Sequence, residues 1–166
     1  MDPRLPVALV LLLGPAACEP SPPDLVLPDA SEVEAYYETE RRLEAEVSGN
    51  VVEVRVDQPA EHLRRGGTLW AKVGPYVFVF TEATRGLFED YPGLAAVRVV
   101  TRLPDGSEVA RAMLVRDELS DVQWRRALNI AGKARGEGPL GRLDELVRWG
   151  EEHTTFEYNP TYASVR

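Results

Sequence analysis

Apolar positions along the chain change period several times, and each change marks an element. Leu43, Ala45 and Val47, then Val52, Val54 and Val56, alternate with other residues on either side of Ser48-Gly49-Asn50. A period of two around a glycine–asparagine turn predicts a hairpin. Farther on, Val73, Tyr76, Val77, Phe80, Thr84, Leu87, Phe88 and Tyr91 recur at the spacing of one helical face, and Leu69 and Trp70 extend it upstream. Gly74-Pro75 must start or kink that long helix, because proline removes an amide and crowds the preceding turn. The unbroken apolar run 76–80 leaves a buried strand as the competing reading. Tyr91-Pro92-Gly93 closes the segment.

Residues 96–102 and 109–116 flank Leu103-Pro104-Asp105-Gly106-Ser107, a second hairpin with a Pro-Asp-Gly turn. Two capping boxes mark helix starts. Ser31-Glu32-Val33-Glu34 predicts a helix from 32 to about 41 with a narrow apolar face of Val33, Tyr36 and Tyr37. Ser120-Asp121-Val122-Gln123 opens a helix to about Ala134, with Trp124, Ala127, Leu128 and Ala131 inward. Gly136 and Gly138 stop it, and Pro139 sits where a first-turn proline is tolerated. Leu143, Leu146, Val147 and Gly150 face the core of a last helix, and the tail HTTFEYNPTYASVR is expected to pack along the surface. The roughly 135 residues from Ser31 onward suffice for one core and are too few for two domains. This order predicts an α+β two-layer sandwich, a small antiparallel sheet covered by helices on one face.

The first 17 residues, MDPRLPVALVLLLGPAA, are organised differently. Arg4 and the amino terminus outweigh Asp2, an apolar stretch of nine residues follows at 5–13, and the small pair Ala16–Ala17 comes after it. That is the layout of a secretory signal. Nine helical residues reach about 14 Å, roughly half a bilayer core, and so cannot span one. The one cysteine of the chain, Cys18, stands directly behind.

Ala16, Ala17 and Cys18 match the lipobox Leu-(Ala/Ser)-(Gly/Ala)-Cys, with Pro15 in place of the usual large aliphatic, and the leader resembles that of a bacterial lipoprotein precursor. The resemblance covers about 18 residues and implies cleavage before Cys18, diacylglycerol on its sulfur and a fatty acyl group such as palmitate on the new amino terminus. It further implies a place in the cell envelope, on the inner or outer membrane and facing the periplasm. An ordinary signal peptide cut after Ala17, leaving a free thiol on a secreted protein, remains the alternative. Residues 19–30, EPSPPDLVLPDA, hold four prolines and are expected to form a semi-rigid spacer of roughly 35 Å. They carry no basic residue, so anionic lipid would not help to hold the chain.

Charge narrows the partners. The formal net charge is −8, and the basic residues, nearly all arginine, are interspersed with acids. An acidic chain without a basic block is a poor nucleic-acid binder. His62 and His153 lie far apart and the domain holds no cysteine, so no metal motif occurs. Glu151-Glu152-His153 with Glu157 reads as a solvated helix end. No GxSxG or SxxK is present. Carboxylate pairs such as Glu89-Asp90 and Asp144-Glu145 are unremarkable among 27 acids. Arg65-Gly66-Gly67-Thr68 reads as a flexible joint, not a phosphate loop. Trp70, Trp124 and Trp149 are placed at core or rim, and Phe156, Tyr158 and Tyr162 in a docked tail. No catalytic, cofactor-binding or metal residue is nominated; Cys18, as a lipid attachment point, is the one site. The expectation is a membrane-anchored, non-catalytic binding or accessory domain with an envelope protein as partner. The alternative, a small periplasmic hydrolase, requires a concave pocket lined by at least two acids with shifted pKa values.

Overall fold

Both hairpins form as the alternation requires, and a computed structural model, describing residues 25–37, 43–61, 63, 68–135 and 141–163, joins them into one sheet. Strand β1 (Leu43–Ser48) pairs antiparallel with β2 (Val51–Asp57), and Gly49 takes φ +58° in the two-residue turn. Glycine takes that left-handed conformation without the steric cost that a Cβ brings. Strand β3 (Ala96–Arg102) pairs antiparallel with β4 (Glu108–Val115), and Gly106 turns the chain at φ +86°. The fold is α+β, with five strands in the order β1-β2-β3-β4-β5 and helices on one face.

The sheet is mixed, where an antiparallel one was expected. Strands β2 and β3 are parallel, with Val54 beside Val99, because the helical segment between them carries the chain back to the starting end. A hairpin needs only a tight turn, whereas a parallel pair needs such a crossover. Strand β5 (Thr155–Tyr158) is the second correction: four residues of the tail add to β4 instead of lying loose, with Phe156 opposite Ala112. A four-residue strand is too short for its alternation to stand out.

The long helical pattern splits into α2 (Thr68–Val79) and α3 (Glu82–Asp90). The break falls at Thr81, not at Pro75, which stays buried inside α2. The Thr81 hydroxyl donates to the Phe78 carbonyl (3.0 Å) and accepts from the Thr84 amide (3.1 Å), ending one helix and capping the next. The strand reading of 76–80 is thereby excluded. Helix α1 (Ala30–Tyr36) starts two residues before the expected Ser31 box, because Asp29 and Glu32 form the reciprocal pair of cap bonds at 2.8 Å each. Helix α4 (Asp121–Arg135) follows its predicted Ser120–Gln123 box, and α5 (Gly141–His153) closes the helical layer. The expected helix residues 38–41, His62, the Gly66-Gly67 joint, the stop at Gly136 and Gly138, Pro139, and residues 1–24 with Cys18 and the first half of the expected spacer lie outside the described residues.

Alternate strand positions separate two environments. Val52, Val54 and Val56, then Val97, Val99 and Thr101, then Ala110, Ala112 and Leu114 are buried under the helices. Helix α2 lies on β3 and β4, and α4 and α5 pack on α2 and on each other. Gly74 permits the close approach: a Cβ there would stand 2.8 Å from Gln58 Oε1 and 3.0 Å from Thr101 Cγ2. Tyr76, fully buried, stacks between Phe80 and Phe156, with ring centroids 6.1 and 5.1 Å away.

Tyrosines make the fold sensitive to alkali. Burial, opposed by the Thr84 hydroxyl at 2.7 Å, pushes Tyr37 up to about 12. The hydrogen bond that Tyr36 donates to the Asp90 carboxylate pushes it up to about 12 as well. The folded values exceed the ordinary value of 10, so this stability is complete below pH 10 and is lost as pH rises from 10 to 12. Spectrophotometric titration should therefore show these tyrosinates emerging with unfolding; independent ionisation at pH 10 before any loss of near-ultraviolet dichroism would contradict it.

Candidate functional site

The open face of the sheet carries an ionic lattice. Strand alternation brings Glu44 and Glu46, Glu53, Arg55 and Asp57, Arg98 and Arg102, Arg111 and Glu157 to this side. Arg55 reaches Glu46 at 2.7 Å and Glu53 at 2.6 Å, and Arg98 reaches Glu53 at 3.1 Å. Arg102 lies 2.8 Å from Asp57 and 2.9 Å from Glu44, and Arg111 lies 2.8 Å from Glu157. Hydrogen bonding to Arg102 holds the Glu44 carboxyl below the usual range, and Glu44 and Asp57 together raise Arg102. A shallow depression of about 130 Å³ over Arg98, Arg111, Met113, Thr155 and Glu157 opens here. Its charges are already spent on one another, which suits a solvated face better than a ligand.

The second concavity is different. Helices α4 and α5 leave a groove of about 390 Å³ lined by Arg126, Ile130, Glu145, Arg148, Trp149 and Glu152. None of its four charged side chains is held in an ion pair among the described residues. Trp149 forms the floor: it is 6% exposed, and its Nε1–H is buried without an acceptor among the described residues. The Arg126 guanidinium lies 4.7 Å over its ring, and the His153 ring packs 4.2 Å away. His153 Nδ1 is in turn 3.4 Å from Glu118 Oε1 on the turn before α4. A desolvated indole with a guanidinium on its face and ready charges of both signs is the composition of a protein-recognition spot.

Glu151, His153 and Glu157, read from the sequence as a solvated helix end, each face a different partner. Glu151 pairs with Lys72 at 2.6 Å, Glu157 pairs with Arg111 across the sheet, and His153 turns to Glu118. No group of three or more metal-ligating side chains occurs among the described residues. Glu89 is engaged by Arg85 at 2.9 Å, and Asp90 by Tyr36. Trp124 and Trp149 are buried, whereas Trp70 is half-buried. Phe156 docks on Tyr76, and Tyr158 is 37% exposed. Cys18, the one nominated site residue, lies outside the described residues. Arg126 escaped sequence reasoning because nothing local distinguishes it; only the packing of α4 on α5 sets it over Trp149.

No protein-family model matches this chain, and no curated protein or solved structure is similar enough to count as a match. The functional reading therefore rests on residues and geometry alone.

Proposed function

We propose that the chain is a lipid-anchored protein of the cell envelope whose α+β domain binds an envelope protein partner and does not turn over a substrate. One observation carries the reading: the only cysteine stands directly behind an apolar stretch and the pair Ala16–Ala17. No helix among the described residues is long and apolar enough to cross a membrane, so in this reading the acyl chains alone hold the protein. Two or three chains suffice, since each buried methylene contributes about 0.8 kcal/mol. The groove over Trp149 is the candidate contact for the partner.

Intact mass of the membrane-extracted protein tests the anchor. The expected species begins at Cys18 and carries the added mass of diacylglycerol, with or without a third acyl chain. Cys18→Ala should leave the membrane fraction and lose that mass. An unmodified thiol at Cys18 would end the proposal. The hydrolase reading keeps one observation in its favour, the shared presence of Glu145 and Glu152 in the groove. Against it, the carboxyls whose pKa values move, Asp29, Glu44 and Asp105, all move down. A general acid needs a raised value. Saturable turnover of an envelope substrate, abolished by Glu145→Gln or Glu152→Gln, would favour that reading instead.

A further inference from the structure

Six large apolar side chains stand exposed among the described residues: Leu25 at 57%, Val26 at 63%, Leu27 at 39%, Val115 at 48%, Val122 at 66% and Tyr158 at 37%. Five of these six gather at one end of the domain. The Leu25 and Val26 carbonyls lie against Gly93, 2.9 and 2.8 Å from where its Cβ would be. The neighbouring Leu94 and Tyr91 carbonyls are held by the Arg116 guanidinium, and the Arg116 amide bonds Ala95 O at 2.9 Å. Val115 is therefore beside this loop. Val122 occupies the first turn of α4, which meets α3 through Trp124 and Phe88, ring centroids 6.5 Å apart. The turn of the second hairpin, at Asp105 and Gly106, is at the opposite end of the strands.

The chain enters the domain at this same apolar end. Resting on the anchored reading above, we propose that the end bearing Leu25, Val26, Leu27, Val115 and Val122 lies against the lipid surface that holds Cys18. The expected spacer is shorter than twelve residues. Pro28 is buried and Asp29 caps α1, so only residues 19–24 separate Cys18 from the first domain contacts. Fully extended, that segment spans at most about 25 Å. A few half-exposed aliphatic side chains bind lipid only marginally from solution, but a tether this short holds them at roughly millimolar effective concentration. The local charge selects the lipid. Asp90, Asp117, Glu118 and Asp121 rim this end, Glu89 is paired with Arg85, and Arg116 is turned inward onto backbone carbonyls, so acids are in excess. Anionic headgroups are repelled, and a zwitterionic surface is favoured.

The test uses the full acylated chain, with its mass verified, reconstituted into vesicles of phosphatidylcholine and phosphatidylethanolamine. A fluorophore is placed at Val122→Cys in one preparation and at Asp105→Cys in another. Quenching by neutral acrylamide at position 122 should be about threefold or more weaker than at 105, and the Leu25→Ser/Val26→Ser variant should restore it. Replacing part of the lipid by phosphatidylglycerol should raise quenching at 122. Equal quenching at the two positions on acylated protein overturns this inference and leaves the anchor standing. Absence of acyl mass removes both. Protection at 122 that persists without lipid and grows with protein concentration identifies a second copy of the chain as the occupant, and overturns the inference too.

Discussion

Gly150→Ala is expected to destabilise the domain by about 3 kcal/mol, lowering the melting temperature by roughly 10 °C. Gly150 lies in α5 with the Tyr76 ring pressed on its Cα; an added methyl would fall well under 3.0 Å from Cδ1, Cε1 and Cζ of that ring. The ring has nowhere to go. Tyr76 is fully buried between Phe80 and Phe156, and its hydroxyl has no partner among the described residues that a small shift would preserve. Either α5 moves off α2 or the tyrosine leaves its rotamer, and both outcomes loosen the contact that carries α5. Gly132→Ala is the control. It sits in α4 with nothing within 4 Å of the new Cβ, so it should stabilise the protein by about 0.5–1 kcal/mol through helix propensity alone. Thermal melts of the two variants should therefore shift in opposite directions. Equal shifts would show that Tyr76 does not seat on α5 as described.

Arg116→Ala should cost about 2–4 kcal/mol in urea denaturation, the second largest effect. The half-buried guanidinium donates to the carbonyls of Phe88, Leu94 and Tyr91 and lies 5.2 Å over the Phe88 ring. These carbonyls belong to the end of α3 and the loop into β3, where no further helical amide can reach them. Removing the guanidinium takes a donor from the Phe88 and Leu94 carbonyls, leaves Tyr91 O with only the Leu94 amide at 3.0 Å, and uncovers the ring. Arg116→Lys should recover little, because an ammonium cannot copy the planar fork that reaches three oxygens at once. A lysine variant as stable as the parent would show that only the charge matters here.

Both predictions join residues remote in the chain, which explains how much of this fold was legible beforehand. The strands β1, β2, β3 and β4, the Gly49 and Gly106 turns and the Ser120–Gln123 cap depend on neighbours within a few positions. Alternation and turn chemistry therefore reveal them. Gly150 was assignable to the core face of α5 by spacing. Its partner Tyr76 was not, because 74 positions separate them and helix–helix contacts carry no local signal. Thr81 gave no local sign of a break: an interruption inside an amphipathic stretch that keeps its hydrophobic phase leaves the period almost intact. At α1 two overlapping capping boxes were available, and Asp29 takes the cap while the Ser31 hydroxyl donates to its carboxylate at 2.7 Å. Of the groove only Trp149 was legible, as a tryptophan at core or rim; Arg126 over its ring and the shape of the groove come from packing α4 on α5.

Arrangement in the chain alone carries the apolar stretch ahead of the isolated Cys18, the absence of a recognised catalytic motif and most helix and strand positions, because each is written in the order of residues or follows from short-range sterics and capping. Tertiary structure alone decides the parallel β2–β3 pairing, the fifth strand, the ionic lattice over the open sheet, the groove at Trp149 and the apolar end at Leu25 and Val122. Those features depend on which distant surfaces exclude water from one another, and that free energy belongs to the assembled domain rather than to any stretch of it.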